Sequence, residues 1–324
     1  MKAIAQSGYG PASVLSLRSV PEPTIRPSEV LVAVRAAGVD PGVWINMTGQ
    51  PYAARVAFGL TKPKVAVRGR ALAGVVSAVG SAVRGFAPGD EVYGTTGSGS
   101  FAEFAAVPSA RLARKPNGLT FSQAAAVPIS AVTALVSVRD GAKVRPGQRV
   151  MVIGAAGGIG AYAVQLAKAA GATVTGVCST GKVALVRSLG AAEVIDYTAE
   201  EVDRDGPVHD VVIDTAGCRA LSLLRRATTP RGTVLLAGGG HDAGGLLGGY
   251  TRQLRAPFVS LFSSQRVTGV AAGERAEYLE ALTPLLEDGT IRPVIDRVYP
   301  LAEAPDAIRY LAEGHPAGKV VVTI

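Results

Sequence analysis

The 324-residue chain is poor in the residues that would tie it to an oxidising compartment, a metal or a lipid bilayer. Its two cysteines, Cys178 and Cys218, are too few for a disulfide framework and stand at no metal-ligand spacing. The three histidines, His209, His241 and His315, belong to no H-E-x-x-H array, and the chain carries neither a P-loop nor a G-x-S-x-G elbow. Nowhere do about 18 apolar residues run uninterrupted. The opening MKAIAQSGYG lacks the apolar core of a secretory leader. These absences together indicate a soluble, cytoplasmic protein with no membrane span. Aromatic residues make up only 5% of the chain, so its core must rest on Ala, Val, Leu and Ile.

Acids are also missing from one long stretch. Between Asp40 and Asp90 there is none, while Arg55, Lys62, Lys64, Arg68, Arg70 and Arg84 all fall there. The net charge is +8, yet beyond Ala271 acids outnumber bases. Such a basic segment is either a solvated loop or a means of drawing in an anionic ligand. Nucleic acid is not the expected partner, because no aromatic stacking pattern, zinc finger or RNP motif accompanies the charge.

What is present is a change of rhythm. The first third alternates short Val- and Ala-rich runs with turns: EVLVAVRAAGV (29–39), GVVSAVG, GDEVYG and FAEFAAVP (101–108). This predicts a small barrel or sandwich. SQAAAVPISAVTALVSVRD (122–140) has helical spacing, with Ser122 as its expected cap. Strands and helices then alternate through QRVMVIG (148–154), GAYAVQLAKAAG (160–171), TVTGVCS, KVALVRSLG, EVIDY, HDVVIDTAG (209–217), GTVLLAGGG (232–240) and RVTGVAA (266–272). Near-continuous apolar strands in that alternation predict a parallel sheet covered on both faces. One amphipathic helix, RAEYLEALTPLLEDG, a turn and the strand GKVVVTI complete the tail, and that strand fits the β-rich first part. The expected domains are 1–123, 124–271 and a return to the first over 272–324.

The strand ending at Ile153 runs into GAAGGIG, Gly154 to Gly160, and then a helix. Aligned to G-x-G-x-x-G, the frame begins at Ala155 and continues through Ala156, Gly157, Gly158, Ile159 and Gly160. Gly157 allows a pyrophosphate to approach the backbone, Gly160 allows close helix–strand packing, and the helix start offers free amides. A dinucleotide is therefore expected here. At the tip of the next strand, where an acid ordinarily holds a ribose 2′-hydroxyl, the chain has Ser179, Thr180 and Lys182. Hydroxyls and an ammonium suit a 2′-phosphate, which makes NADPH the expected cofactor. Thr180 can equally serve as a helix cap.

With those residues in place, the chain resembles the medium-chain dehydrogenase/reductase superfamily, and within it the zinc-free quinone oxidoreductase (zeta-crystallin-like) branch. The segments MKAIAQSGYGPASVL, GVDP, PGDEVYG, GSFAEFA, AAAVPISAVTAL, GAAGGIG, LGAAEVIDY and GKVVV carry the resemblance in the family's order. It implies an α/β protein with a GroES-like β-rich catalytic domain, interrupted in sequence by a doubly wound Rossmann domain, and an active site between the two. It implies Thr133 near the nicotinamide, Lys182 and Tyr197 near the adenosine 2′-phosphate, and strand-end loops at Thr215, Ala216, Gly238 and Gly239 along the cofactor. The segment GVDPGVWINMTGQPY matches the substrate wall, so Asp40, Trp44, Met47 and Tyr52 are candidate substrate contacts. Trp44, Met47 and Tyr52 can equally be core. Asp40 stands where relatives carry Asn. Asp40 and Tyr52 are candidates for a proton donor, beside donation by solvent.

Zinc-dependent members of the superfamily place Cys in the segment that here reads GVDPGV and His in the one that reads RGRALAG, so no zinc is expected. The implied activity is NADPH-dependent hydride transfer to a quinone or an α,β-unsaturated carbonyl, by a homodimer acting on a small molecule. The alternatives are an enoyl or enone reductase dedicated to one biosynthetic intermediate, and a protein that binds NADPH without turnover.

Overall fold

The computed structural model describes residues 1–238, 248 and 251–324. The chain forms two compact units, one of Met1–Ser130, Gly273–Gly289 and Pro293–Ile324, the other of Ala131–Ala272 and Thr290–Arg292. The expected cut after residue 123 falls inside a short helix that the first unit keeps whole.

The first unit opens with β1 (Lys2–Ala5), β2 (Ser16–Ser19) and β3 (Glu29–Val39), then α1 (Pro41–Thr48) and α2 (Arg55–Phe58). β4 (Ala71–Val79), β5 (Glu91–Thr95), β6 (Phe104–Pro108), β7 (Leu112–Arg114) and α3 (Phe121–Ala125) follow. β3 buries alternate residues up to Ala36 and every residue from there to Val39, and it is long enough to pair with three neighbours, β4, β6 and the C-terminal strand Lys319–Thr323. α3 starts at Thr120 rather than Ser122. The Thr120 hydroxyl accepts the Gln123 amide at 3.2 Å, and Gln123 Oε1 accepts the Thr120 amide at 2.9 Å, a reciprocal pair that fixes the first turn. The single helix expected over 122–140 is broken near Pro128, which has no N–H to give the preceding turn.

After the break come α4 (Ser130–Leu135) and a wide π-type turn, Val136–Gly141. The second unit continues through β8 (Arg149–Ile153), α5 (Gly158–Ala169), β9 (Thr173–Cys178), α6 (Val183–Ser188), β10 (Glu193–Asp196), β11 (His209–Asp214), α7 (Leu221–Arg226), β12 (Thr228–Leu236), α8 (Thr251–Leu261) and β13 (Arg266–Gly269). Its six strands are parallel in the order β10-β9-β8-β11-β12-β13. The order reverses direction between β8 and β11, and a doubly wound sheet opens its ligand crevice at such a switch, beyond the carboxyl ends of the strands. Val150, Met151 and Val152 are fully buried, as a strand covered on both faces requires.

The chain then returns to the first unit with α9 (Ala276–Glu287), β14 (Ile295–Pro300), α10 (Ala304–Ala312) and β15 (Lys319–Thr323). β15 pairs antiparallel with β3, Val320 opposite Val39 and Thr323 opposite Ala36. Sequence spacing led to one helix in this tail. α10 makes a second, burying Ala304, Ala307 and Ile308 against Met47 and Val322. Spacing does not predict α8 either.

Candidate functional site

Parallel pairing brings the expected nucleotide residues to one edge. Ile153 is level with Val177 on one side and Asp214 on the other, and Asp214 is level with Leu236. The turns that leave β8, β9, β11 and β12 therefore lie side by side.

In the turn after β8, Gly154 has φ +77°, a value that L side chains rarely take. A Cβ on Gly160 would lie 2.0 Å from the Gly154 carbonyl oxygen, so only glycine permits the helix to start against the strand. Ala155 and Ala156 are buried, and Gly157 is the N-cap of the 12-residue α5 with no side chain capping it. The amides of Gly158, Ile159 and Gly160 open the helix, and a helix start without a side-chain cap is the arrangement an anion occupies.

The turns after β11 and β12 close on this loop. The Thr215 hydroxyl donates to the Ile153 carbonyl at 2.8 Å, and its amide to the same oxygen at 3.0 Å. Asp214, fully buried, accepts the Ala216 and Gly217 amides at 3.2 and 3.0 Å and pairs with Arg252 at 2.8 Å. A Cβ on Gly238 would stand 2.2 Å from the Thr215 carbonyl oxygen. Gly239 and His241 lie outside the described residues. Thr133 is half-buried on α4, and its carbonyl accepts the Ser137 hydroxyl at 2.6 Å.

At the far end, Ser179 precedes a 3-10 turn, Thr180–Lys182, that leads into α6. Two features here escaped sequence reasoning. The neighbouring strand supplies an acid after all: Asp196 ends β10 opposite Cys178. Hydrogen bonds from the Thr180 and Thr198 hydroxyls and the Thr198 amide hold its carboxyl below the usual range. The Thr180 and Thr198 hydroxyls are themselves 2.9 Å apart. The second feature is Arg219, whose guanidinium lies 5.1 Å from the centre of the half-exposed Tyr197 ring. EVIDY showed the acid and AGCRA the arginine, but neither shows by spacing alone that it reaches this edge.

The substrate-wall candidates of the first unit separate. Met47 is fully buried in the core with Val43, Ile308 and Val322, and Trp44 packs against that core. Met47 therefore serves packing, while Trp44 keeps part of its surface exposed. Tyr52 is 50% exposed, with the Arg55 guanidinium 4.9 Å from its ring centre and 4.6 Å from that of Tyr9. Asp40, the other candidate proton donor, lies at the end of β3. It is 1% exposed and ion-paired with the buried Lys319, whose ammonium also donates to the Val39 carbonyl at 3.1 Å.

The segments GVDPGV and RGRALAG, where zinc-dependent members carry Cys and His, hold Asp40 and Arg70. Asp40 is committed to Lys319, and Arg70 brings a positive charge that pairs with Glu274. Among the described residues, no three His, Cys, Asp or Glu side chains come together as a ligand set.

Two family models match the chain: "Alcohol dehydrogenase GroES-like domain" over residues 26–117 and "Zinc-binding dehydrogenase" over 189–322. The chain is 34% identical to the 2-methylene-furan-3-one reductase of Solanum lycopersicum, over 99% of its own length and 79% of the relative's. It is equally 34% identical, with the same coverage, to the chloroplastic NADPH-dependent alkenal/one oxidoreductase of Arabidopsis thaliana. The chain belongs to the medium-chain dehydrogenase/reductase superfamily. Within it the likeness is to the zinc-free quinone oxidoreductase branch. The quinone oxidoreductase of Coxiella burnetii superposes with a TM-score of 0.86 at 29% identity, covering 100% of this chain and 99% of that one. Relatives named for NAD(P)H and NADPH support a nicotinamide cofactor for the chain, and the glycine turn at the sheet's switch point fits one.

Proposed function

We propose that the chain is an NADPH-dependent, metal-independent reductase of small conjugated acceptors, quinones or α,β-unsaturated carbonyls. The observation that carries this reading is the uncapped, glycine-lined start of α5 at the switch point of the parallel sheet. When bound, reduced nicotinamide supplies the hydride. The chain's own part is to hold the dinucleotide: the α5 amides take the pyrophosphate, Thr215, Ala216 and Gly238 follow its length, and Lys182 and Arg219 face the 2′-phosphate. Ser179 and Thr180 add hydroxyls. Asp196 is the residue that opposes a phosphate there, since hydrogen bonds from Thr180 and Thr198 favour its ionised form. The named activities of the tomato and Arabidopsis relatives support the class of acceptor.

The chemistry of the chain's side chains supports the same choice. Hydride delivered to an isolated ketone creates a localised alkoxide, which needs a Lewis acid or a poised proton donor. Asp40 is shut away in an ion pair and Arg70 is tied to Glu274. A conjugated acceptor spreads the charge into an enolate or hydroquinone anion, which asks less of the protein. The test is NADPH consumption with an enone and with its saturated ketone. Rapid turnover of the enone and little of the ketone is expected; equal rates with both would overturn the reading.

A cytoplasmic homodimer completes the proposal. Both cysteines are unpaired, and among the described residues no helix is long and apolar enough to cross a membrane. Support for a dimer is the exposed apolar row Leu254, Phe258, Leu261 and Phe262 on and just beyond α8, which packs on the edge strand β13.

A further inference from the structure

The acid-free stretch of the first unit folds around a recess of about 220 Å³ whose lining includes Asn46, Phe58, Lys64, Arg68, Arg70 and Arg111. Four of the fourteen lining residues are cations and none is an acid. Glu274 answers two of them, pairing with Arg70 and, at 2.8 Å, with Arg111. Among the described residues, neither Lys64 nor Arg68 has a carboxylate partner: the Lys64 ammonium donates to the Ala57 carbonyl at 3.0 Å, and Arg68 donates to the Asn46 carbonyl at 3.2 Å and to that of Val65. Positive charge is therefore in excess around the recess.

Arg68 is the unusual member. It is only 5% exposed, held in place by backbone bonds from its amide to Ile4 and from Phe101 to its carbonyl, at 3.0 and 2.9 Å. Its Nε is buried with no hydrogen-bond partner, and so is Asn46 Oδ1. Asn46 can present either its oxygen or its amide NH2, since the two differ only by a flip of the side chain. Burial pulls the Arg68 pKa down to about 10, the sign of a charge held away from water without a counter-charge. An unpaired buried charge destabilises a fold unless something else neutralises it. A guanidinium is the side chain best shaped to do so with a planar or tetrahedral oxyanion.

We propose that this recess binds the carboxylate or phosphate of the substrate, so that the reductase acts on an anionic conjugated acceptor. The oxyanion lies against Arg68, with Lys64 contributing from the rim and Phe58 packing on the carbon chain. This rests on the reductase reading above, and the experiment separates the two.

The probes are acetylacrylate, an enone that carries a carboxylate, and its methyl ester, which lacks the charge but has the more electron-poor double bond. Wild type should reduce the acid with a kcat/KM about tenfold or more above that of the ester, against their intrinsic reactivity. Arg68→Met should remove that preference, through a raised KM on the acid. Lys64→Met, at an exposed position, should reduce the preference by a smaller factor and provides the test should Arg68→Met fold poorly. Calorimetry of acetylacrylate with the NADP⁺-loaded protein gives an independent readout of binding, and a phosphonate analogue compares tetrahedral with planar anions. If both enones are reduced equally well and neither substitution alters their ratio, the recess proposal falls and the reductase reading stands. If neither is reduced but acetylacrylate binds wild type and not Arg68→Met, the recess stands and the reductase reading falls.

Discussion

At the carboxyl edge of the six-stranded sheet, recognition rests on the backbone: a glycine at φ +77°, a helix start without a side-chain cap, and strand ends kept level by their pairing. In the recess of the first unit it rests on side chains and on which charges find partners. Glu274 reaches Arg70 and Arg111, and Arg68 is left with carbonyls. A backbone site depends on where glycine is allowed, whereas a charge site depends on residues far apart in sequence. The two kinds of site should fail differently when altered.

The largest effect is expected where a buried charge loses its partner. Lys319→Met leaves Asp40 enclosed and unpaired, and should cost about 3–5 kcal/mol of stability, measured by denaturant unfolding. Replacing both, Asp40→Leu with Lys319→Met, should recover most of that loss. A double variant no more stable than the single would show that the pair contributes more than mutual neutralisation.

At the sheet edge, side-chain changes should affect the ligand and not the fold. Lys182→Ala should weaken NADPH binding by about 1.5–3 kcal/mol, the range for a charge-assisted hydrogen bond, with NADH binding and unfolding little changed. Equal weakening of both cofactors would place Lys182 somewhere other than beside the 2′-phosphate.

Backbone changes there should affect fold and ligand together. In an ordinary helix Gly→Ala gains about 1 kcal/mol. At Gly160 the new Cβ meets the Gly154 carbonyl oxygen at 2.0 Å, a backbone atom that cannot turn aside. Gly160→Ala should instead lose about 1–3 kcal/mol, as overpacking does, and bind NADPH more weakly. A stabilised variant would mean that the turn gives way easily.

The smallest effect concerns pH. His209 is 3% exposed at the start of β11, with its ring nitrogens 3.2 Å from the Ala227 carbonyl oxygen and 3.3 Å from the Thr175 hydroxyl. Desolvation lowers its pKa in the folded protein. The unfolded chain therefore binds this proton more readily, and stability should fall as pH drops below about 6.5, by at most about 1.4 kcal/mol per pH unit. His209→Gln should flatten that part of the profile. An unchanged slope between wild type and variant would assign the acid sensitivity to other groups.

The same contrast explains how much was legible beforehand. The sheet, the helices as far as α6 and the turn from Gly154 to Gly160 follow from local patterns: apolar runs, glycine spacing and a helix that starts at once. The break at Pro128 was in plain view, and the Thr120–Gln123 pair was available as a better cap than Ser122. What spacing leaves open at the site depends on long reach. Asp40 and Lys319 are 279 residues apart, so nothing near GVDP shows that the carboxylate is already taken. Met47 and Tyr52 sit five residues apart in one segment, yet the first is sealed in the core and the second half-exposed, a difference set by α10 arriving from the tail. Asp196 reaches the nucleotide edge only because β10 pairs with β9. Sequence spacing could say that no acid ends β9, but not that one ends its neighbour.

The central claim, that this edge is built for a dinucleotide with a 2′-phosphate, is tested most directly by calorimetric titration of wild type with NADPH and NADH under one buffer and salt. Tighter binding of NADPH, stoichiometric with the chain, is the predicted result. NADH binding as tightly as NADPH, or more so, would contradict it and assign the acid at Asp196 to the ribose.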